Sequence, residues 1–325
     1  MEKIIKSKYF TLRLVLFLSL LPSLTFAQTQ EEAKQAQQFF NEGATAYSRG
    51  DYPAAIESFT KAINLYPKAA QIFYNRANAY RYIREYDLAI KDLNTALELG
   101  NNLPETQSAL IYLSRGDAFA EKNDYVKAIE DFNKSISINP ADAGVYNSRG
   151  LAYTTLKKYD LAIVDFNKSL ELVPQAFTFH NRARVYYQMR DFDRAIKDFT
   201  KAIELSPQLP NPYNARALCY QYLGNFDLAL LDFTKAISLT VKNGVYYLNR
   251  ADVYFKKGKF ALAIADYTKA IEIYPLWAEA FRRRADAYKK QGQNKLAEAD
   301  LQKAKEVEKE NFNPIDKIEL INLNP

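Results

Sequence analysis

The chain has 325 residues, of which 48% are apolar, 14% aromatic and 25% charged, a balance typical of globular proteins rather than disordered or membrane-spanning ones. It holds a single cysteine, Cys219, and a single histidine, His180. That excludes a disulfide framework, a cysteine-based zinc cluster and a histidine-rich metal site, so neither a metal nor a cofactor is expected.

Residues 1–27 have the layout of an export signal. Lys3, Lys6, Lys8 and Arg13 precede the apolar run Leu14 to Leu21, and Thr25-Phe26-Ala27 closes it with small residues where a signal peptidase needs them. Cleavage after Ala27 would deliver the protein to the periplasm or the medium. Leu14 to Ala27 is 14 residues with Pro22 inside, short of the roughly 20 that a spanning helix requires, so no integral membrane span is expected after processing. The formal charge falls from +6 to 40 Lys and Arg against 37 Asp and Glu. Without a concentrated basic face, a nucleic-acid partner is not expected. Residues 28–35 read as a short N-terminal extension.

From residue 36 the chain repeats itself. Ala55, Ala89, Ala128, Ala162, Ala195, Ala229, Ala263 and Ala297 recur at a spacing close to 34 residues, the signature of a repeat architecture. With these alanines at position 20, the repeats span 36–69, 70–103, 109–142, 143–175, 176–209, 210–243, 244–277 and 278–311. Position 4 is always aromatic, position 8 always Gly or Ala, and position 27 always Ala or Ser. Positions 11 and 17 are aromatic in seven repeats and position 24 in six. Positions 4, 8 and 11 share one helix face, as do 17, 20, 24 and 27, so each repeat is predicted to be a helical hairpin. Turn residues such as Gly50-Asp51, Gly224-Asn225 and Gly292-Gln293 separate the helices, and Pro67, Pro140, Pro174, Pro207 and Pro275 stop the second. Of 45 aromatics, 28 occupy positions 4, 11, 17 and 24, which assigns them to packing rather than to a platform for stacking bases.

These columns resemble the tetratricopeptide repeat: an aromatic residue, Gly or Ala four residues on, Tyr three further on, then Ala, Phe and Pro. The resemblance covers residues 36–311 and implies an all-α fold, a right-handed α-solenoid of helix-turn-helix tetratricopeptide repeats. Three departures stand out. Position 4 never carries the family's Trp. A five-residue insertion near Asn101 to Pro104 is expected to lengthen one inter-repeat loop. Position 7, usually apolar in the family, is arginine in seven repeats (Arg76 to Arg284), each followed sixteen residues later by aspartate (Asp92 to Asp300). A half-buried guanidinium needs a carboxylate, and pairing within repeats leaves no partner over, so intra-repeat pairs are expected. Repeat 8 places Glu298 and Lys305 at otherwise apolar positions and is expected to cap the stack. Residues 312–325 form a C-terminal tail without the repeat pattern.

No P-loop, dinucleotide-binding glycine fingerprint or metalloprotease motif occurs, and His180 lacks an acid and a nucleophile beside it, so no catalytic residue is expected. Cys219 lies beside the core stripe and reads as a packed thiol. Asn133-Lys134-Ser135 and Asn167-Lys168-Ser169 match a glycosylation sequon in mid-helix, with Ser at the buried position 27, and read as chance. The family resemblance implies that the first helix of each repeat lines a concave groove that takes a peptide or protein partner. There the chain offers Tyr74, Asn75, Asn78 and Arg81 in repeat 2, and His180, Asn181, Arg184 and Tyr187 in repeat 5. Asn214, Asn249, Arg282 and Arg283 follow in repeats 6 to 8. The family's carboxylate clamp is not matched, since Tyr74 stands where it needs Lys. The reading is a non-enzymatic, exported scaffold for protein–protein interaction. The alternative is an envelope protein that binds a glycan or peptidoglycan fragment through the same Tyr, Asn and Arg side chains.

Overall fold

The computed structural model describes residues 30–100, 104–310 and 313–314. Residues 1–27, expected to be an export signal, and nearly all of the tail lie outside them. Among the described residues the protein is wholly helical, with sixteen helices in eight antiparallel pairs: α1 (Gln30–Ser48), α2 (Tyr52–Leu65), α3 (Ala70–Tyr82), α4 (Tyr86–Leu99), α5 (Glu105–Glu121), α6 (Tyr125–Ile138), α7 (Ala143–Thr155), α8 (Tyr159–Leu172), α9 (Ala176–Gln188), α10 (Phe192–Leu205), α11 (Pro210–Tyr222), α12 (Phe226–Leu239), α13 (Gly244–Lys256), α14 (Phe260–Ile273), α15 (Ala278–Lys290) and α16 (Asn294–Glu308). Odd-numbered helices are the first of each repeat. Two compact units divide the chain, unit 1 up to Leu172 and unit 2 from Val173. Within each, a second helix packs on its own first helix and on the next, and successive first helices also touch.

Local chemistry sets each turn. The residue at position 15 has a positive φ in every repeat, Gly50, Gly224, Gly258 and Gly292 in four and Arg84, Asn123, Lys157 and Arg190 in the others. The next amide then reaches back to the carbonyl of position 11, as from Asp51 to Ala46 at 3.0 Å and from Lys158 to Tyr153 at 2.8 Å, closing the first helix. Asp51, Asp124 and Asp191 then cap the second helix through their side chains.

Inside each hairpin the small and large columns interlock. All eight position-20 alanines are fully buried, and so are Phe59, Phe132, Phe166 and Phe233 at position 24, each contributing about 2 to 3 kcal/mol of transfer free energy. Position 8 makes room for those rings. A Cβ on Gly150 would lie 2.8 Å from Phe166 Cε1, and one on Gly116 would lie 2.6 Å from Phe132 Cε1. The rings at positions 4, 11 and 17 are mostly half-buried rather than interior, which refines the expectation that every aromatic column is core.

The arginine and aspartate columns pair within repeats as expected. In all seven, Nε donates to Oδ2 at 2.7–2.8 Å and Nη2 to Oδ1 at 2.6–2.9 Å, a bidentate fork. The rings of positions 4 and 11 flank the guanidinium, with Arg76 lying 5.6 Å from the Phe73 centroid and 5.8 Å from that of Tyr80. The third nitrogen carries a contact that the spacing of Arg and Asp does not reveal. Nη1 donates to position 25 of the preceding repeat: Arg76 to Thr60, Arg115 to Asn94, Arg149 to Asn133, Arg216 to Thr200, Arg250 to Thr234 and Arg284 to Thr268, at 2.5–3.1 Å. One side chain thus closes its own hairpin and staples it to the previous one. Asn133 of the first sequon is an acceptor in this lattice, and Ser135 donates to the Ala109 carbonyl at 2.8 Å, buried. Repeat 1 has no preceding repeat and, fittingly, no arginine at this position.

Of the expected inter-repeat loop, Asn101 to Leu103 lie outside the described residues. Glu105 to Ser108 add a turn to the start of α5, and α5 still packs on both α3 and α4. Residues 30–35 of the N-terminal extension likewise continue α1. Glu298 and Lys305 on α16 are exposed, as a capping repeat requires.

Candidate partner-binding surface

In unit 1 the first-helix face is built by α1, α3, α5 and α7. Tyr74, Asn75 and Asn78, all expected to face a groove, are buried at 3%, 1% and 1% exposure. The Tyr74 hydroxyl meets Ser114 Oγ of α5 at 3.4 Å. Asn75 donates to the Gln71 carbonyl at 2.9 Å, while its Oδ1 has no hydrogen-bond partner in the protein. Neither amide atom of Asn78 has one. Arg81 is engaged across the repeat boundary: Nε and Nη2 donate to the two Glu121 carboxylate oxygens at 3.1 Å each, and Asp117 lies 3.4 Å away. Burial disfavours the charged guanidinium, but the two carboxylates outweigh it and raise the Arg81 pKa.

Position 12 of one repeat meets position 13 of the next, and Arg81 with Glu121 is the ionic version. The aromatic version begins each unit. Tyr47, Tyr52 and Tyr82 form one cluster, with Tyr52 stacked on Tyr82 at 4.5 Å and 9°. Tyr187, Phe192 and Tyr222 form the other, with Phe192 stacked on Tyr222 at 5.1 Å and 11°. Burial raises the Tyr187 pKa, so its hydroxyl stays protonated. Neither pair was visible in the columns, because positions 12 and 13 change chemistry from repeat to repeat while the contact persists.

In unit 2 the first-helix face is built by α9, α11, α13 and α15. Asn181 is buried, whereas His180, Arg184, Tyr187, Asn214 and Asn249 are half-buried. The His180 ring packs 5.3 Å from that of Phe199, and burial, reinforced by Arg184, pulls its pKa down to about 3. It is a neutral imidazole near pH 7. Asn249 Nδ2 donates to Asn214 Oδ1 at 3.0 Å, joining two repeats. That bond leaves Asn214 an amide donor and Asn249 an amide acceptor for other partners. Arg283 pairs with Asp252 and, at 2.8 Å, with Glu279, and Tyr267 donates to Asp252 at 2.7 Å. Arg282 pairs with Glu308. The expected site residues therefore divide. Asn214 and Asn249 come together, Arg81 and Arg283 serve the stack, and Tyr74, Asn75 and Asn78 lie inside it.

Cys219 is fully buried, and burial pushes its thiol up to about 12, as a packed residue requires. Among the described residues no group of three His, Cys, Asp or Glu side chains could hold a metal ion, and no helix is long and apolar enough to cross a membrane.

Models of the tetratricopeptide repeat match residues 143–175, 176–209 and 245–275, and also 70–102, 210–240 and 278–311. A further repeat model matches 43–82 and 116–157. The chain belongs to the tetratricopeptide repeat family. Among curated proteins it is 33% identical over 114 residues to the small glutamine-rich tetratricopeptide repeat-containing protein 2 of Mycosarcoma maydis, covering 35% of this chain and 31% of that one. It is 31% identical over 111 residues to the Hsc70-interacting protein 1 of Drosophila melanogaster, covering 34% and 28%. The chain thus spans about a third of the length of these relatives. Among solved structures, a tetratricopeptide repeat protein from Parabacteroides merdae superposes with a TM-score of 0.59 at 20% identity, covering 78% of this chain and 99% of that one. That likeness establishes the solenoid fold.

Proposed function

We propose that this tetratricopeptide repeat protein is a non-enzymatic scaffold for protein–protein interaction that holds a peptide or protein partner against the first-helix face of unit 2. The observation that carries this reading is the amide pair of Asn214 and Asn249. Their mutual hydrogen bond fixes both side chains, and the free donor and free acceptor that remain match the C=O and N–H of an extended backbone. Arg184 and Tyr187 stand on α9 of the same unit and are of the residue types that most often anchor a bound segment. The Drosophila relative, named for an interaction with another protein, supports the same reading.

The test starts from capture. The immobilised chain is used to isolate a partner, the bound segment is mapped by mass spectrometry, and its affinity is measured. Asn214→Ala with Asn249→Ala weakens that affinity about tenfold or more, with helicity and melting temperature nearly unchanged, because a lost hot spot is worth about 2 kcal/mol. Unaltered affinity in this double variant rejects the site. We also propose export, on the order of basic, apolar and small residues in 1–27. Intact mass after expression in an export-competent bacterium should give a chain beginning at Gln28, and a retained Met1 would sink the proposal.

A further inference from the structure

The second helices of repeats 6, 7 and 8 carry an exposed apolar row. Leu228, Leu262 and Leu296 stand at the same repeat position on α12, α14 and α16 and are 47%, 48% and 49% exposed, and Leu231, a turn on from Leu228, is 68% exposed. The identical register sets them on one side of unit 2. Repeats 2 and 4 carry Leu88 and Leu161 at that position, 42% and 47% exposed, but their neighbours break the run: repeat 3 has Lys127 there and repeat 5 has Arg194. Exposed leucines scattered singly need no explanation, but a row in three consecutive repeats does.

In repeats 7 and 8 the turn beside this row carries an excess of lysine, whereas that of repeat 6 holds Asp227 next to Leu228, paired with Lys257. The eight-residue segments running from the end of the first helix to the row, 255–262 in repeat 7 and 289–296 in repeat 8, each hold three lysines and no acid, while the matching segments 47–54, 81–88, 120–127 and 187–194 are charge-balanced, 154–161 holds two lysines and one acid, and 221–228 one acid and no lysine. Lys256, Lys259, Lys290 and Lys295 are exposed. The helix ends reinforce that sign. Lys259 and Gln293 stand at the N-caps of α14 and α16, neither makes a side-chain cap, and neither helix has an acid in its first turn. The positive ends of two helix dipoles therefore face the same side as the lysines. Elsewhere, Asp51, Asp124 and Asp191 neutralise the corresponding ends.

We infer that this outer face of unit 2 is a second docking surface, and that its occupant is an acidic amphipathic segment of a partner protein. The leucine row takes the segment's apolar side chains, and its Asp and Glu residues lie along the lysine edge. A nucleic acid would leave the leucines without a counterpart. This surface is separate from the Asn214 and Asn249 site and does not depend on it.

The test is a random 16-residue peptide library selected on the full chain, with counter-selection on the variant Lys256→Glu, Lys259→Glu, Lys290→Glu, Lys295→Glu. All four side chains are exposed, so the variant should melt like the wild type. The expected clones are enriched in Asp and Glu interspersed with Leu, Ile or Phe. They bind the charge-reversed variant and the variant Leu262→Ser, Leu296→Ser at least tenfold more weakly, and weaken as salt rises from 0.05 to 0.5 M on the order expected for Debye screening. They bind Asn214→Ala with Asn249→Ala unchanged. Clones without acidic bias, or binding that the leucine variant leaves intact, overturn the proposal. So does selection of no discriminating clone while phosphatidylglycerol vesicles retain the wild type and not the charge-reversed variant, which would assign the surface to a membrane.

Discussion

Units 1 and 2 rest on the same lattice of arginine forks and differ in what their first helices do with amides and charges. In unit 1, Asn75 and Asn78 are buried with amide atoms unpaired by the protein, and Arg81 is locked between Glu121 and Asp117. In unit 2, Asn214 and Asn249 bond to each other across a repeat boundary and remain half-exposed. The same residue types at neighbouring repeat positions therefore tighten one stack and leave donors and acceptors available on the other. What decides between them is the neighbour at position 13 or position 6 of the next repeat, a side chain that the repeat consensus does not specify.

The largest expected effect tests what the units share. Asp165→Ala in unit 1 and Asp232→Ala in unit 2 each leave a guanidinium flanked by rings without its carboxylate, and each should cost about 3 kcal/mol in denaturant unfolding. Asn133→Ala removes only the Nη1 acceptor and should cost about 1 kcal/mol. Because Arg149 holds both partners, the Asp165 and Asn133 substitutions should be non-additive. Strict additivity would show that the staple and the fork act independently.

This lattice also marks how far the sequence is legible. The forks were readable because Arg and Asp recur seven times at a fixed separation of sixteen residues. The staple was equally periodic, with Thr or Asn at position 25 from Thr60 to Thr268, yet Thr and Asn on an outer helix face look like ordinary solvated residues until the arginine is seen to have a third nitrogen to satisfy. The burial of Asn78 was not legible at all. Periodicity places it on the first-helix face, but whether that face is open depends on how closely α1, α3 and α5 approach, and no column encodes that distance. Arg81 was misjudged for the same reason, since Glu121 belongs to the next repeat and recurs nowhere else at that position.

Acid should separate the units. His180, in unit 2, is the chain's one histidine, and its folded pKa of about 3 lies well below the roughly 6.5 of an unfolded histidine. The unfolded chain therefore takes up the proton first. The stability of the neutral imidazole is fully present above about pH 6.5 and is lost progressively as pH falls toward 3, by up to about 2 kcal/mol at pH 5. Hydrogen exchange at pH 7.5 and 5 should show weakened protection in α9 and α10 with α1 to α4 little changed, and His180→Phe should abolish the difference. An unchanged pattern in wild type would mean that the ring is solvated enough to titrate normally.

The buried amide of unit 1 gives a smaller effect of opposite sign. Asn78→Leu replaces a side chain whose polar atoms find no partner in the protein with an apolar one of similar size, so it should raise stability by about 1 to 2 kcal/mol. Asn214→Leu, breaking a made hydrogen bond at a half-exposed site, should lower it slightly. If Asn78→Leu destabilises instead, the amide is held by a hydrogen bond to water, and the contrast between the units is one of hydration rather than of pairing.

The smallest expected effect lies in the turns. Every first helix ends on a left-handed residue, with Arg84, Asn123, Lys157 and Arg190 there in repeats 2 to 5 and glycine in repeats 1, 6, 7 and 8. A side chain at positive φ costs about 1 kcal/mol relative to glycine, less for asparagine. Glycine also widens the unfolded ensemble, which returns part of that gain. Lys157→Gly and Arg84→Gly should therefore stabilise by about 0.5 kcal/mol each and Asn123→Gly by less, read as a rise in melting temperature. The reverse change, Gly258→Ala, should destabilise by about 1 kcal/mol: the added methyl meets no atom within 4 Å, so backbone strain alone sets its cost. If Lys157→Gly lowers stability, the lysine makes a favourable interaction at the turn edge, and the basic edge of repeats 7 and 8 would have a structural counterpart in repeat 4, the turn of unit 1 that also carries two adjacent lysines.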